Sequence, residues 1–263
     1  MILIQSKTKR ILTLVVALII LVFFVVGFYI ISGNFSPKTG VVIGDSIAEG
    51  YPSHHGSYFY LYNLSVVDRG GTFAAEFQNN LTYFKWYNFG VGGETTRDVR
   101  ARWSRDVLAR SSDLAPNRTI SLKPLVVVVD VGINDCYYNY DVNETENNLY
   151  WMATNASQNN IRILFMTLNP AKNRMIFDNK TSLNSWAKIN IINKWMKSNL
   201  TQINHNIRVF DTYSVLDDGF GDIQPEYSCG DGVHINQKAF IDISKEAYQQ
   251  NRDLFDGFNW VNL

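Results

Sequence analysis

The stretch Leu125-Val-Val-Val-Val-Asp-Val131 constrains the fold more than any other part of the chain. A nearly unbroken β-branched run, with no polar residue at alternate positions, reads as a strand buried on both faces. Such strands belong to parallel sheets covered by helices. Further strand candidates lie at 41–44, 86–90, 161–167 and 207–211, and between or after them come helix-length segments at 72–81, 96–110, 144–159, 182–200 and 237–250. Strand and helix in alternation predict an α/β fold, a three-layer α/β/α sandwich around a central, mostly parallel sheet of about five strands. No internal repeat or low-complexity tract interrupts 40–263, so that span is expected to be one domain.

The chain ahead of it has a different character. Lys7, Lys9 and Arg10 precede residues 11–32, a run without a single charge. That is long enough to cross a hydrocarbon layer of ~30 Å as a helix, and longer than the apolar region of a cleaved signal peptide. The basic cluster before it predicts a cytoplasmic segment 1–10, a single transmembrane signal anchor at 11–32, a short linker at 33–39 and a domain that is extracellular or lumenal. Asn-x-Ser/Thr sequons at Asn34, Asn63, Asn80, Asn117, Asn143, Asn155, Asn179 and Asn199 suit a glycoprotein in that compartment. Cys136 and Cys229 could pair there.

Charge narrows the partners. Lys plus Arg and Asp plus Glu number 24 each, so there is no electrostatic footprint for nucleic acid, and the membrane contact expected is the run at 11–32.

Chemistry is suggested first by Gly44-Asp45-Ser46, which follows the apolar run Val41-Val-Ile43. The turn presents a serine at the carboxyl end of a strand, where open parallel sheets usually place their sites. A serine hydroxyl needs a base to take its proton, usually a histidine oriented by a carboxylate. Of the four histidines, His54 and His55 lie in an irregular segment and His205 in a polar turn, whereas His234 follows the last strand and has Asp231 three residues before it. Asn88-Phe-Gly90-Val-Gly92-Gly93-Glu94-Thr95 and Gly132-Ile-Asn134-Asp135 come after the second and third strands and offer backbone N–H groups and a side-chain amide to a developing oxyanion. Each piece alone also reads as an ordinary turn or helix cap.

Together and in this order the four blocks resemble the SGNH hydrolases, also called GDSL esterases and lipases, over about 41–250. The resemblance implies a flavodoxin-like sheet with Ser46 as nucleophile, His234 as general base and Asp231 as its orienting acid. It assigns the oxyanion hole to the N–H of Ser46, the N–H of Gly93 and the amide of Asn134. Two features depart from the pattern: Ile235 stands where many relatives have proline, and the aromatic-rich segment 51–69, with His54, His55 and Tyr58 as a substrate lip, leaves specificity open. The resemblance also implies that Cys136 and Cys229 reach one rim of the site and form a disulfide. No metal or other cofactor is expected: the chain has no His-Glu-x-x-His, Cys-x-x-Cys or phosphate-loop motif. The expected activity is hydrolysis of a short acyl ester, an O-acetyl group on a glycan, through an acyl-serine. A lysophospholipase or lipid esterase, an O-acyltransferase with the same site and a non-catalytic membrane-anchored binding protein of the same fold are the alternatives.

Overall fold

The valine run lies in the middle of the sheet. In the computed structural model, which describes residues 15–24, 38–52, 71–108, 124–173 and 179–256, five parallel strands are β1 (Lys38–Gly44), β2 (Phe84–Gly90), β3 (Val126–Asp130), β4 (Arg162–Met166) and β5 (Ile207–Phe210). Their spatial order is β2-β1-β3-β4-β5. Every residue of β3 is buried, because it has a strand on each side and helices above and below. At about 1.5–3 kcal/mol for each fully buried apolar side chain, the four valines make β3 a main anchor of the core. The edge strands β2 and β5 are only partly buried.

The major helices are α2 (Phe73–Asn80), α3 (Thr96–Asp106), α5 (Val142–Gln158), α6 (Asn179–Asn199) and α8 (Gln237–Gln250). The β1–α2–β2 crossover runs toward one edge of the sheet and the later crossovers run toward the other. Right-handed connections therefore place α2 on the face opposite α3, α5 and α6, and α2 packs against α8. Beside α2, Phe77 and Trp86 stack with ring centroids 4.9 Å apart. On the other face the buried Trp103 of α3 donates its indole N–H to Asn155 Oδ1 on α5 at 2.9 Å.

Strand register positions the site. Gly44 pairs with Gly90 on one side and with Asp130 on the other, so β1, β2 and β3 end level. The turns that follow them, at Asp45-Ser46, Gly92-Gly93 and Gly132–Asn134, therefore gather at one edge of the sheet.

All five strands and all five long helices fall where the sequence places them, with strand starts shifted by up to three residues, from 41 to 38 in β1. Sequence reading does not find the short helices α1 (Ser46–Glu49), α4 (Ile133–Tyr137), α7 (Thr212–Leu216) and α9 (Arg252–Asp256), since one turn of helix is too short to show a periodicity. The chain divides into units 1–37 and 38–263. Of the expected anchor at 11–32, residues 15–24 are helical with exposed apolar side chains and the remainder lies outside the described residues. Among the described residues no helix is long and apolar enough to cross a membrane.

Candidate active site

Ser46 is held at the end of β1 by tight packing and a local cap. A Cβ on Gly44 would collide with the carbonyl oxygen of Asp130 on the neighbouring strand, so only glycine lets the two strand ends approach this closely. The Asp45 N–H donates to that same oxygen at 3.2 Å. Asp45 Oδ1 then accepts from the Ile47 N–H at 3.0 Å and caps α1, whose first residue is Ser46. Ser46 is half-buried while its neighbours on both sides are buried.

His234 reaches Ser46 from a loop 188 residues further along the chain, with Nε2 2.8 Å from Oγ. Its other ring nitrogen, Nδ1, lies 2.5 Å from Asp231 Oδ2. Asp231 Oδ1 accepts from the backbone N–H groups of Val233, at 2.9 Å, and His234, at 2.8 Å. Burial pushes the Asp231 carboxyl up, but the hydrogen bonds from the His234 ring and from the two N–H groups outweigh it and hold the group well below the usual carboxylate range. An ionised Asp231 accepts a hydrogen bond from Nδ1–H and so fixes the proton on Nδ1, which leaves the lone pair of Nε2 facing the serine. The Tyr51 ring packs against the imidazole with centroids 4.4 Å apart.

The oxyanion candidates lie on turns that adjoin one another. Gly93 has φ +81°, a conformation that favours glycine, and a Cβ built on Gly92 would lie 3.8 Å from Ser46 Cβ. Asn134, buried on α4, donates from Nδ2 to the Glu94 carbonyl at 2.9 Å, which fastens its amide to the glycine loop. Behind it the buried Asp135 accepts from the Thr96 N–H at 2.9 Å, from the Thr96 hydroxyl, and from Thr145 Oγ1 at 3.2 Å. Burial raises the Asp135 carboxyl above its ordinary range and the Thr96 hydrogen bonds oppose that. Asn88 ties the end of β2 to α1, accepting from the Gly90 N–H at 2.9 Å and donating to the Glu49 carbonyl at 3.3 Å.

Two features near the serine escape the sequence reading. Arg102 is buried and bridges three elements: Nε to Glu94 at 2.6 Å, Nη1 to Asp106 at 2.7 Å and Nη2 to the Gly44 carbonyl at 3.1 Å. One guanidinium thus braces the end of β1 against the loop that carries Gly93 and Glu94. Burial raises Glu94, and Arg102 opposes the rise. A signal was present, since Arg102 lies on the buried stripe of α3 with Thr96, Val99 and Asp106. The second feature is a pair of buried acids, Asp45 and Asp130. Burial alone pushes Asp130 up to about 7. Asp45 is raised by burial first and by Asp130 next, and its Oδ2 has no hydrogen-bond partner.

Other expectations fare differently. His54, His55 and Tyr58 lie outside the described residues, and His205 is exposed in the turn before β5. The expected disulfide is corrected: Cys136 and Cys229 are both free thiols. Two residues along a helix turn a side chain by roughly 200°, so Cys136 points away from the direction of Asn134 and joins the hydrophobic core. Cys229 is only partly buried, in the turn that carries Asp231. Among the described residues no cluster of three or more His, Cys, Asp or Glu could hold a metal ion.

A serine, a histidine and an ionised acid in hydrogen-bonded series at the carboxyl edge of an open parallel sheet define a class, the serine hydrolases built on an α/β/α sandwich. Within it, the chain belongs to the GDSL-like lipase/acylhydrolase family, whose sequence model matches residues 42–239. An acetylxylan esterase from Geobacillus stearothermophilus is 32% identical over 103 residues, 38% of this chain and 41% of that protein, so the match spans less than half of that relative. Among solved structures, a GDSL-like lipase from Bacteroides thetaiotaomicron matches with a TM-score of 0.60 at 21% identity, covering 84% of this chain and 90% of the other. A structure of an acetylxylan esterase from Geobacillus stearothermophilus matches at 0.55 and 22% identity, covering 86% and 96%. These likenesses establish the fold.

Proposed function

We propose that this protein hydrolyses short acyl esters, O-acetyl groups carried on a glycan, through an acyl-serine intermediate. The observation that carries the reading is the series Ser46 Oγ to His234 Nε2 at 2.8 Å and Nδ1 to Asp231 at 2.5 Å. Ser46 Oγ attacks the acyl carbon as its proton moves to Nε2, and the carbonyl oxygen becomes an oxyanion facing the N–H groups of Ser46 and Gly93 and the amide of Asn134. Collapse breaks the bond to the alcohol oxygen, which leaves with the proton from His234. Water then gives a proton to His234 and attacks the acyl-serine, and the acid departs as Ser46 Oγ recovers its proton. His234 must be neutral to begin each half.

The glycan part of the reading is supported by the acetylxylan esterase relative and by the charge balance of the whole chain. Anchoring, with the amino terminus in the cytoplasm and the esterase outside or in a lumen, is supported by the uncharged run 11–32 behind Lys7, Lys9 and Arg10. Partition of the full chain with membranes, and protease access to the domain only from the non-cytoplasmic side, test that part.

A fluorophosphonate probe should label the protein and fail to label Ser46→Ala. An ester panel should give turnover of acetyl esters that declines with acyl length. Absence of labelling together with absence of nitrophenyl acetate hydrolysis would overturn the enzyme reading. Preference for long acyl chains would replace the glycan ester by a lipid ester.

A further inference from the structure

We infer that the sugar chain on the alcohol side of the substrate runs from the oxyanion loop over Tyr138 and Tyr140 into a polar cleft between the first turns of α3 and α5. This rests on the glycan-ester reading above and adds where the neighbouring sugar residues bind.

Three contacts make a continuous surface. Tyr138 closes α4, the helix that carries Asn134, and is 57% exposed. Its hydroxyl lies 4.0 Å from the position a Cβ would take on Gly93, which puts the phenol at the rim of the oxyanion loop. Its ring lies 6.1 Å from that of Tyr140, and the Arg97 guanidinium lies 5.0 Å from the Tyr140 ring centroid. The segment is firmly held: the Tyr140 N–H donates to the Asp135 carbonyl at 2.9 Å, and Lys188 Nζ donates to the Tyr140 carbonyl at 2.6 Å.

Beyond Arg97 opens a cleft of about 740 Å³ lined by Arg97, Arg100, Asp141, Asn143, Glu144 and Asn147 among others. Its size is that of a small-molecule site. α3 follows the end of β2, and α5 follows α4 beyond the end of β3, so the first turns of both helices lie toward the same edge of the sheet as Ser46.

The lining selects the class of ligand. Two arginines face two carboxylates, so the cleft favours neither polyanions nor polycations. The guanidiniums are fixed, Arg97 by Glu144, with Nε to Oε1 at 2.8 Å, and Arg100 by Asn148 at 3.0 Å and by the Trp151 ring at 4.9 Å. Asn143 and Asn147 are exposed amides, each with a donor and an acceptor side. Paired donors and acceptors with no net charge match vicinal hydroxyls, and the tyrosine faces match the apolar faces of a pyranose ring. The occupant is a neutral oligosaccharide.

The test compares the full chain with Arg97→Ala and Asn147→Ala on O-acetylated xylose and O-acetylated xylotetraose. Asn143 opens a sequon, so all proteins are produced in a host that adds no N-glycans, which keeps the Asn143 amide and removes a self-glycan as a rival occupant. For the wild type, kcat/KM should rise by about tenfold or more from monosaccharide to tetrasaccharide. Each variant should cut that ratio several-fold, chiefly through KM, with melting temperature kept. A wild-type ratio near one, or variants that preserve the ratio, would overturn the track and leave the glycan esterase standing. If nitrophenyl acetate is cleaved but neither acetylated sugar is, the glycan-ester reading itself fails and the track falls with it.

Discussion

Arg102→Ala is the most informative single change, because one side chain holds three parts of the site together. The guanidinium is 8% exposed and binds Glu94, which is 18% exposed, and Asp106, which is 2% exposed. Removing one partner of a buried ion pair costs about 3–5 kcal/mol, mostly because the other charge stays buried without it. Asp106 keeps Arg105, whose Nε lies 2.6 Å from Oδ1, so the lower end, about 3 kcal/mol, applies. For a unit the size of 38–263, each kcal/mol moves the melting temperature by about 2–4 °C, which gives a drop of about 6–12 °C. The Gly44 carbonyl and the Glu94 loop lose their common brace, and a shift near 1 Å between nucleophile and oxyanion donors costs about 10²-fold. Thermal unfolding by circular dichroism and kcat on nitrophenyl acetate read the two effects. Arg102→Lys restores a charge but cannot reach all three partners, so it should recover part of the melting temperature and little of kcat. A variant Arg102→Ala that melts within about 1 °C of the wild type would refute the bracing role.

Three further outcomes are expected. Asp130 and Asp45 are both raised by burial, so the folded state keeps protons that the unfolded chain releases. The contribution of Asp130 is complete in acid and is lost as pH rises from the ordinary carboxylate range through about 7, and that of Asp45 has the same sign. Asp130→Asn should flatten the fall in melting temperature between pH 5 and pH 8, and equal slopes would contradict the assignment. Asp231 lies on the opposite side, lowered by its bonds to His234, so its contribution holds above the ordinary carboxylate range and is lost only in stronger acid. Asp231→Asn should lower kcat by about 10³–10⁴ with KM nearly unchanged; a loss confined to KM would remove Asp231 from the orienting role. Thiol titration without reductant should find two thiols per chain after denaturation and at most slow reaction at the partly buried Cys229 before it. None after denaturation would restore the disulfide.

The sequence marks the sheet and the triad by different means, and its failures follow from that difference. Val126 to Val129 announce a central strand because burial on two faces permits only one kind of side chain. Ser46, Asp231 and His234 stand out as candidates because a nucleophile, an acid and a base after particular strands are scarce in sequence, and the register that makes Gly44, Gly90 and Asp130 level brings the strand-end turns together. Nothing comparable announces Arg102, which sits in a helix with Arg97, Arg100 and Arg105; only its place on the buried stripe separates a brace from a solvated charge. The cysteines show the limit most clearly. Closeness in sequence to Asn134 and Asp231 says which loops Cys136 and Cys229 belong to, but a disulfide depends on direction. On α4 that direction is set by the 3.6-residue turn, which sends Asn134 toward the site and Cys136 into the core.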